Sequence, residues 1–473
     1  MNELRAALGV EAARQLTLQR LDLIPRNRLH VHYIATSSTN EQLVLTLVPS
    51  SSKLLRLENT SLKSEAELLQ WLCNTRLNLQ TVEERRTPNE AAKPPQDHHK
   101  NDRLFEHGLK FKNTLPRVMK HGQAKFPNHV AFLLTKRPDS SVISSLSRPL
   151  SKAQRKCVDF QIGQLIRELS AYQSPIEQFG VASAVLESCN MHHNTVKATK
   201  EPHNETADSN VFACWSDAFY LLLESVLRDA EDVTLSLEYE KIRLHASRFR
   251  HILDEVTVPC LVILDAGENS NTCIVLPGNS GARDFRGSLQ RQDKPNVESE
   301  KSQNTTVVSS ATSQTATKFE DPESTLKAVP ATNAIQESQD IPQVVGIQDW
   351  YNSVFGDVLF TSVLTRDHNP DVWDGLIHQS CDIEPKAVKQ AMQLAHDFRH
   401  ANVRRLLYDC YHSIASIVTE YYRVAVDGDD RELPARRRLI QAIARLDDLD
   451  DIGRKIHARP SLATSAAKRQ RPT

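Results

Sequence analysis

The sequence predicts an α+β protein of two lobes, on three observations. Short apolar strands gather near the N-terminus around one amphipathic helix. Helical periodicity then fills most of the remaining chain. Three polar stretches without any periodicity interrupt both parts.

The opening "MNELRAALGVEAARQL" has the pattern of an amphipathic helix and lacks the character of a secretory leader. "LHVHYIAT" (29–36) and "QLVLTLVP" (42–49) alternate as strands do, and "SSTNE" between them predicts an antiparallel hairpin. In "LKSEAELLQWLC" the residues Leu62, Glu65, Ala66, Leu69, Leu72 and Cys73 share one face at helical spacing, which puts Glu65 on an apolar stripe. "TLPRVMKH" and "HVAFLLTKRP" predict two more strands, the second ended by Pro138.

Beyond that point Ala153, Val158, Ile162, Leu165, Ile166 and Leu169 form one helical stripe, and "WSDAFYLLLESVLRDA" (215–230) forms another. "EKIRLHASRFRHILDEV" continues the helical pattern. The short apolar runs "CLVILD", "TCIVLP" and "PQVVGIQDW" predict strands, the last ending near Asp349. From Pro385 to about Arg445 the chain is helical again, with Val403, Leu406, Leu407, Cys410, Ile414, Ile417, Val418 and Tyr421 on a buried face.

A small sheet with one helix, a connecting segment and a mostly helical body is the layout of a bilobal protein-kinase-like fold. The expected division is an N-lobe over 1–138, a helical C-lobe over 139–450 and a flexible basic tail over 451–473. The stretches at about 80–103, 186–208 and 278–340 are rich in Ser, Thr, Asn, Pro and charge, and predict disordered insertions.

Composition excludes several classes of function. The 58 basic residues nearly cancel the 59 acidic ones, and a net charge of −1 gives no reason to expect nucleic acid or a membrane surface as partner. No apolar run approaches the roughly 20 residues of a membrane span, so a cytoplasmic protein is expected. The eight cysteines are scattered without disulfide or zinc spacing, and predict reduced thiols. The pairs His98–His99 and His192–His193 lie in polar segments without a third ligand and read as solvated histidines.

The stretch "LVILDAGENSNTC" (261–273) carries the chemistry. Phosphoryl transfer asks a protein mainly for positioned charge, namely oxygen ligands for a divalent metal and an acceptor for the substrate hydroxyl proton. An aspartate leaving a strand, with an asparagine about one turn later, supplies a base and a metal ligand near one point. Asp265 with Asn269 or Asn271 has that form. A second aspartate at another strand tip, Asp349, would complete an oxygen-rich Mg²⁺ site.

The chain resembles the aminoglycoside phosphotransferase family, and in particular its divergent fungal members. The likeness is carried by "KLLRLENTSLKSEAELLQWL" (53–72), "WSDAFYLLLESVLRDAED" (215–232), "LDEVTVPCLVILDAG" (253–267), "GIQDWYNSVFGDVLF" (346–360) and "RRLLYDCYHSIASIVTEYYR" (404–423). It implies ATP and Mg²⁺ as cofactors, a small-molecule hydroxyl as acceptor, Asp265 as catalytic base and Asp349 as metal ligand. It also implies Asp357 as a structural support, Glu65 as the helix carboxylate beside the nucleotide, and a hinge at "TKRPD" (135–139), where the backbone of Thr135 and Arg137 would border the adenine.

The departures from the family pattern point elsewhere. The resemblance puts Thr46 where a lysine usually grips the phosphates, and a hydroxyl cannot supply that cation. Lys53 and Arg56 are the nearest replacements in sequence. Ile263 replaces a histidine two residues before the aspartate, and Ser270 stands where the loop asparagine belongs. Two readings therefore stand at this level: an ATP- and Mg²⁺-dependent small-molecule phosphotransferase, or a catalytically impaired pseudokinase serving as a binding or regulatory module.

Overall fold

The computed structural model describes residues 18–24, 29–37, 41–48, 53–58, 62–84, 115–123, 131–136, 140–195, 210–276, 341–366, 369–378, 386–396, 398–424 and 428–456. The N-terminal part is a five-stranded antiparallel sheet built from β1 (Leu18–Ile24), β2 (Val31–Ser37), β3 (Gln42–Leu47), β4 (Arg117–Gln123) and β5 (Ala131–Lys136), in the order β1-β2-β3-β5-β4. The predicted hairpin is β2–β3, and its register sets His32 opposite Thr46. Strand β1 was not anticipated, although Arg20-Leu21-Asp22-Leu23 alternates polar and apolar.

Period-two alternation gives the sheet two distinct faces. Ala35, Leu43, Leu45, Phe132 and Leu134 pack together on one side, with Leu21, Tyr33, Leu47 and Met119 around them. The opposite phase sends Val44, Thr46, Leu133 and Thr135 towards Glu65 and Leu69 of helix α1 (Leu62–Glu84). On α1, Leu62, Glu65, Ala66, Leu69 and Leu72 are all buried, as the stripe predicts.

The C-terminal part is mainly helical: α2 (Lys152–Ser170), α3 (Ala182–Thr195), α4 (Trp215–Asp232), α5 (Tyr239–Arg248), α6 (Arg250–Leu253), α7 (Ser362–Thr365), α8 (Pro370–Ile377), α9 (Lys386–His396), α10 (Phe398–Tyr422) and α11 (Gly428–Asp447). Two small sheets are set among them, β11-β10-β6 and β8-β7-β12-β9, from β6 (Ser141–Val142), β7 (Phe179–Val181), β8 (Val211–Phe212), β9 (Cys260–Ile263), β10 (Thr272–Val275), β11 (Gln343–Ile347) and β12 (Ser353–Gly356). The architecture is thus α+β, with an antiparallel sheet first and helices after. No helix among the described residues is long and apolar enough to cross a membrane.

Helix α2 begins at a capping box, where Ser151 Oγ accepts from Gln154 N–H and the Gln154 side chain accepts from Ser151 N–H. It packs against α8 so closely that a Cβ built on Gly375 would lie 1.9 Å from the Phe160 carbonyl. Only glycine allows that approach.

Some boundaries differ from those expected. Helix α1 runs to Glu84, and α3 takes residues 186–195 of a stretch read as insertion, because "ASAVLESCN" carries enough apolar residues to continue a helix. His192 and His193 therefore fall on a helix, while His98, His99, the remainder of the three stretches and most of the basic tail lie outside the described residues. Ala153 and Tyr421, assigned to buried stripes, are exposed. Of the cysteines, Cys260, Cys273 and Cys410 are buried and Cys214 is exposed. Burial pushes the Cys260 thiol up to about 12.

Candidate functional site

Strand register brings the two predicted aspartates together. Asp265 follows β9, and the chain returns through a tight turn in which Glu268 N–H donates to the Asp265 carbonyl at 3.2 Å and Asn271 N–H to the Glu268 carbonyl at 2.9 Å. Gly267 adopts φ +86° in this turn, and a Cβ there would lie 2.7 Å from Ile162 Cγ2. β10 then pairs antiparallel with β11, Thr272 opposite Ile347, which delivers Asn271 to the segment following β11. At the other end of the same pair Val275 meets Gln343, so both ends of the long intervening segment are held by one ladder.

Asn271 is the joint between the aspartates. Its Nδ2 donates to Asp265 Oδ1 at 2.9 Å and to the Asp349 carbonyl at 3.1 Å, while its Oδ1 accepts from Asp349 N–H at 2.8 Å. Its side chain is fully buried. Asn269 does not share this site: its Oδ1 accepts from Arg155 Nη1 at an exposed position, and its carbonyl accepts from Ser144 N–H. Ser270 stands between the two asparagines, and it is Asn271, one step later, that bonds both aspartates.

The Asp349 carboxylate turns towards the N-terminal sheet. Its Oδ1 lies 2.7 Å from His32 Nε2, and His30 Nδ1 is 3.9 Å from the same oxygen. His32 Nδ1 lies 3.1 Å from Thr46 Oγ1 and 3.3 Å from Gln348 Nε2. Glu65 Oε1 accepts from Trp350 N–H at 3.2 Å, and Glu65 Oε2 is 3.8 Å from His30 Nδ1. His30, His32, Thr46, Glu65, Gln348 and Asp349 are all buried, with Asp349 at 0% exposure. The edge of the His30 ring meets Tyr351, centroids 4.6 Å apart.

Of the residues singled out from sequence, the fold gathers Asp265, Asn271, Asp349, Glu65 and Thr46. Thr135 is buried and lines the same small cavity as Thr46 and Glu65, a space of about 10 Å³. That is room for about one water molecule. Arg137 lies outside the described residues. Lys53 and Arg56 do not reach the site: Lys53 Nζ stands 4.0 Å over the Tyr422 ring, and Arg56 pairs with Asp229 and Asp232.

Sequence reasoning missed His30, His32 and Gln348. The signal was present in "LHVHY", where two histidines stand at period two at the start of β2; both are buried, His30 near Glu65 of α1 and His32 against Thr46. Asp357 does act as a support. Its Oδ2 accepts from Arg404 Nε at 2.9 Å and from Tyr408 OH at 2.8 Å, and its Oδ1 caps Leu359 N–H at 3.1 Å. Tyr408 in turn accepts from Trp215 Nε1 at 2.7 Å. Burial works against the charge of Arg404, yet Asp357, Tyr408 and Glu255 together outweigh it and hold the guanidinium above its ordinary range.

No family model and no curated protein matches the chain. Among solved structures it is similar to a Ralstonia eutropha JMP134 protein assigned as an aminoglycoside phosphotransferase, at 9% identity and TM-score 0.42, over 93% of this chain and 98% of that one. It is also similar to a Thermobifida fusca YX-ER1 protein assigned as a fructosamine-3-kinase, at 11% identity and TM-score 0.41, over 93% and 99% of the two chains.

Proposed function

We propose that this chain is a kinase-type fold that works as a binding or regulatory module, its nucleotide and metal groups converted into a closed polar junction. One observation carries the reading: Asp349, the residue that should hold Mg²⁺, is 0% exposed with its carboxylate 2.7 Å from His32 Nε2. Mg²⁺ demands open oxygen ligands and keeps several of its waters. The amide oxygen of Asn271 is already engaged by Asp349 N–H. Thr46, at the place of the phosphate-gripping lysine, directs its hydroxyl to His32. In this arrangement the donor set does not fit a hydrated magnesium–nucleotide pair.

The whole chain, titrated with millimolar Mg-ATP, tests the reading by its melting temperature. No saturable shift is expected. Ligand at about 100 times its Kd would add roughly 2.7 kcal/mol of stability, and such a gain, together with ATP turnover lost in Asp265→Ala, would overturn the proposal. The phosphotransferase reading keeps one specific support: Asp265 is only half-buried and is held by Asn271 Nδ2, the geometry of an oriented base.

A further inference from the structure

A second cavity, of about 50 Å³, opens elsewhere in the chain and shares no wall with the one beside Thr46 and Glu65. Segment 53–58 covers it, α4 and α10 flank it, and Leu264 and Asn352 close it. Its polar wall consists of Glu58, Asp229, Asn352, Tyr411 and His412. Glu58 and Asp229 are 6% and 2% exposed. Glu58 Oε2 accepts from Leu55 N–H and from the Arg423 guanidinium, and Asp229 accepts from Arg56 N–H at 3.0 Å and from Tyr422 OH at 3.3 Å while its Oδ1 lies 3.4 Å from Arg56 Nε. A carboxylate has about four acceptor positions, so both keep capacity towards the cavity.

The Tyr411 phenol adds a group to this wall that can both donate and accept. Tyr411 is 6% exposed and lines the same space. Burial first, and then Glu58 and Asp229, push its ionisation up, which places the ring beside both carboxylates as an un-ionised phenol. His412 donates through Nε2–H to the Phe360 carbonyl at 2.8 Å, and burial holds its pKa down to about 3. It is therefore neutral at physiological pH, with Nδ1 left as an acceptor. Acceptors outnumber donors around the space. The rest of the wall is apolar, from Leu55, Leu57, Val226, Leu264 and Ala415.

We propose that this cavity binds a primary alkylammonium group, the three N–H donors meeting Glu58, Asp229 and the Tyr411 oxygen while the alkyl stem lies against the leucines. An ammonium brings three donors and no acceptor, which matches the excess of acceptors. The site stands independently of the proposal made for the junction at Asp349.

Ethylammonium chloride, titrated into the full chain and followed by melting temperature and calorimetry, is the direct test, with ethanol and sodium chloride as controls. Saturable binding is expected for ethylammonium alone, and three heavy atoms support a Kd of about 1 mM at best. Tyr411→Phe should weaken it about 10-fold, the loss of one charge-assisted hydrogen bond, while keeping the ring that packs against Phe360 in the unliganded fold. Ala415→Leu, which fills the space, should abolish binding. Absence of saturation about 100-fold above that Kd, an equal response to ethanol or sodium, or unchanged affinity in Tyr411→Phe would each overturn the proposal and leave a merely hydrated cavity.

Discussion

His32 Nε2 and Asp349 Oδ1 approach to 2.7 Å with neither side chain open to solvent, joining strand β2 to the segment after β11. Removing one member of a buried pair costs far more than the pair contributes, because the remaining charge stays out of water. His32→Ala should lose about 3–5 kcal/mol of unfolding free energy in urea. The double change His32→Ala with Asp349→Ala should cost less than the sum of the two by at least about 1 kcal/mol. Strict additivity would mean that the contact carries no coupling.

The two loop asparagines should behave oppositely. Asn271→Ala removes three hydrogen bonds in a buried setting and strands the Asp349 N–H, so about 1–3 kcal/mol of stability should disappear. Asn269→Ala loses one exposed contact with Arg155 and should stay within about 0.5 kcal/mol of the parent. Equal effects in thermal denaturation would contradict the assignment of Asn271 as the joint.

Asp357 neutralises a guanidinium that has no exposure at all. Asp357→Ala should destabilise the chain by about 3–5 kcal/mol, whereas Tyr408→Phe, which keeps the ring but breaks the relay from Trp215, should cost about 1–2 kcal/mol. Near-ultraviolet circular dichroism of Trp215, read alongside urea midpoints, would separate the two: a Tyr408→Phe as damaging as Asp357→Ala would place the weight on the phenol.

Acid should weaken the fold through His412. Burial holds its folded pKa at about 3 against an ordinary value of 6.5, so between those limits the unfolded chain takes up a proton that the folded chain refuses. Stability therefore falls as pH drops below 6.5, by at most about 1.4 kcal/mol per pH unit for one such group. His245, lowered by burial with Asp447 opposing, acts in the same sense. His412→Gln should flatten this acid limb in denaturation series between neutral pH and mild acid, and an unchanged slope would assign it to other groups.

Much of the architecture is legible from periodicity alone. Strands β2, β3, β4 and β5, and helices α1, α2, α4 and α10, carry period-two or helical apolar spacing because each buries one face against a neighbour, while β9, β10 and β11 show as short continuous apolar runs. Strands of two to four residues, such as β6, β7, β8 and β12, are too short to show a period and exist through tertiary pairing. The same division runs through the candidate site. Asp265, Asp349 and Glu65 announce themselves by ending a strand or interrupting an apolar stripe. That Asn271 and not Asn269 bonds both aspartates follows from the β10–β11 register, a long-range fact. The contact between His32 and Asp349 spans more than 300 residues of sequence, and no local pattern encodes it.

The ladder that sets Val275 against Gln343 closes, by its own hydrogen bonds, the loop that is strung between them. Once the two anchorage points are fixed by hydrogen bonds outside the segment, doubling its length costs only about 0.6 kcal/mol in closure entropy. Drift in that stretch, whether by expansion, trimming or a grafted tag, can proceed without loosening the aspartates a few residues away.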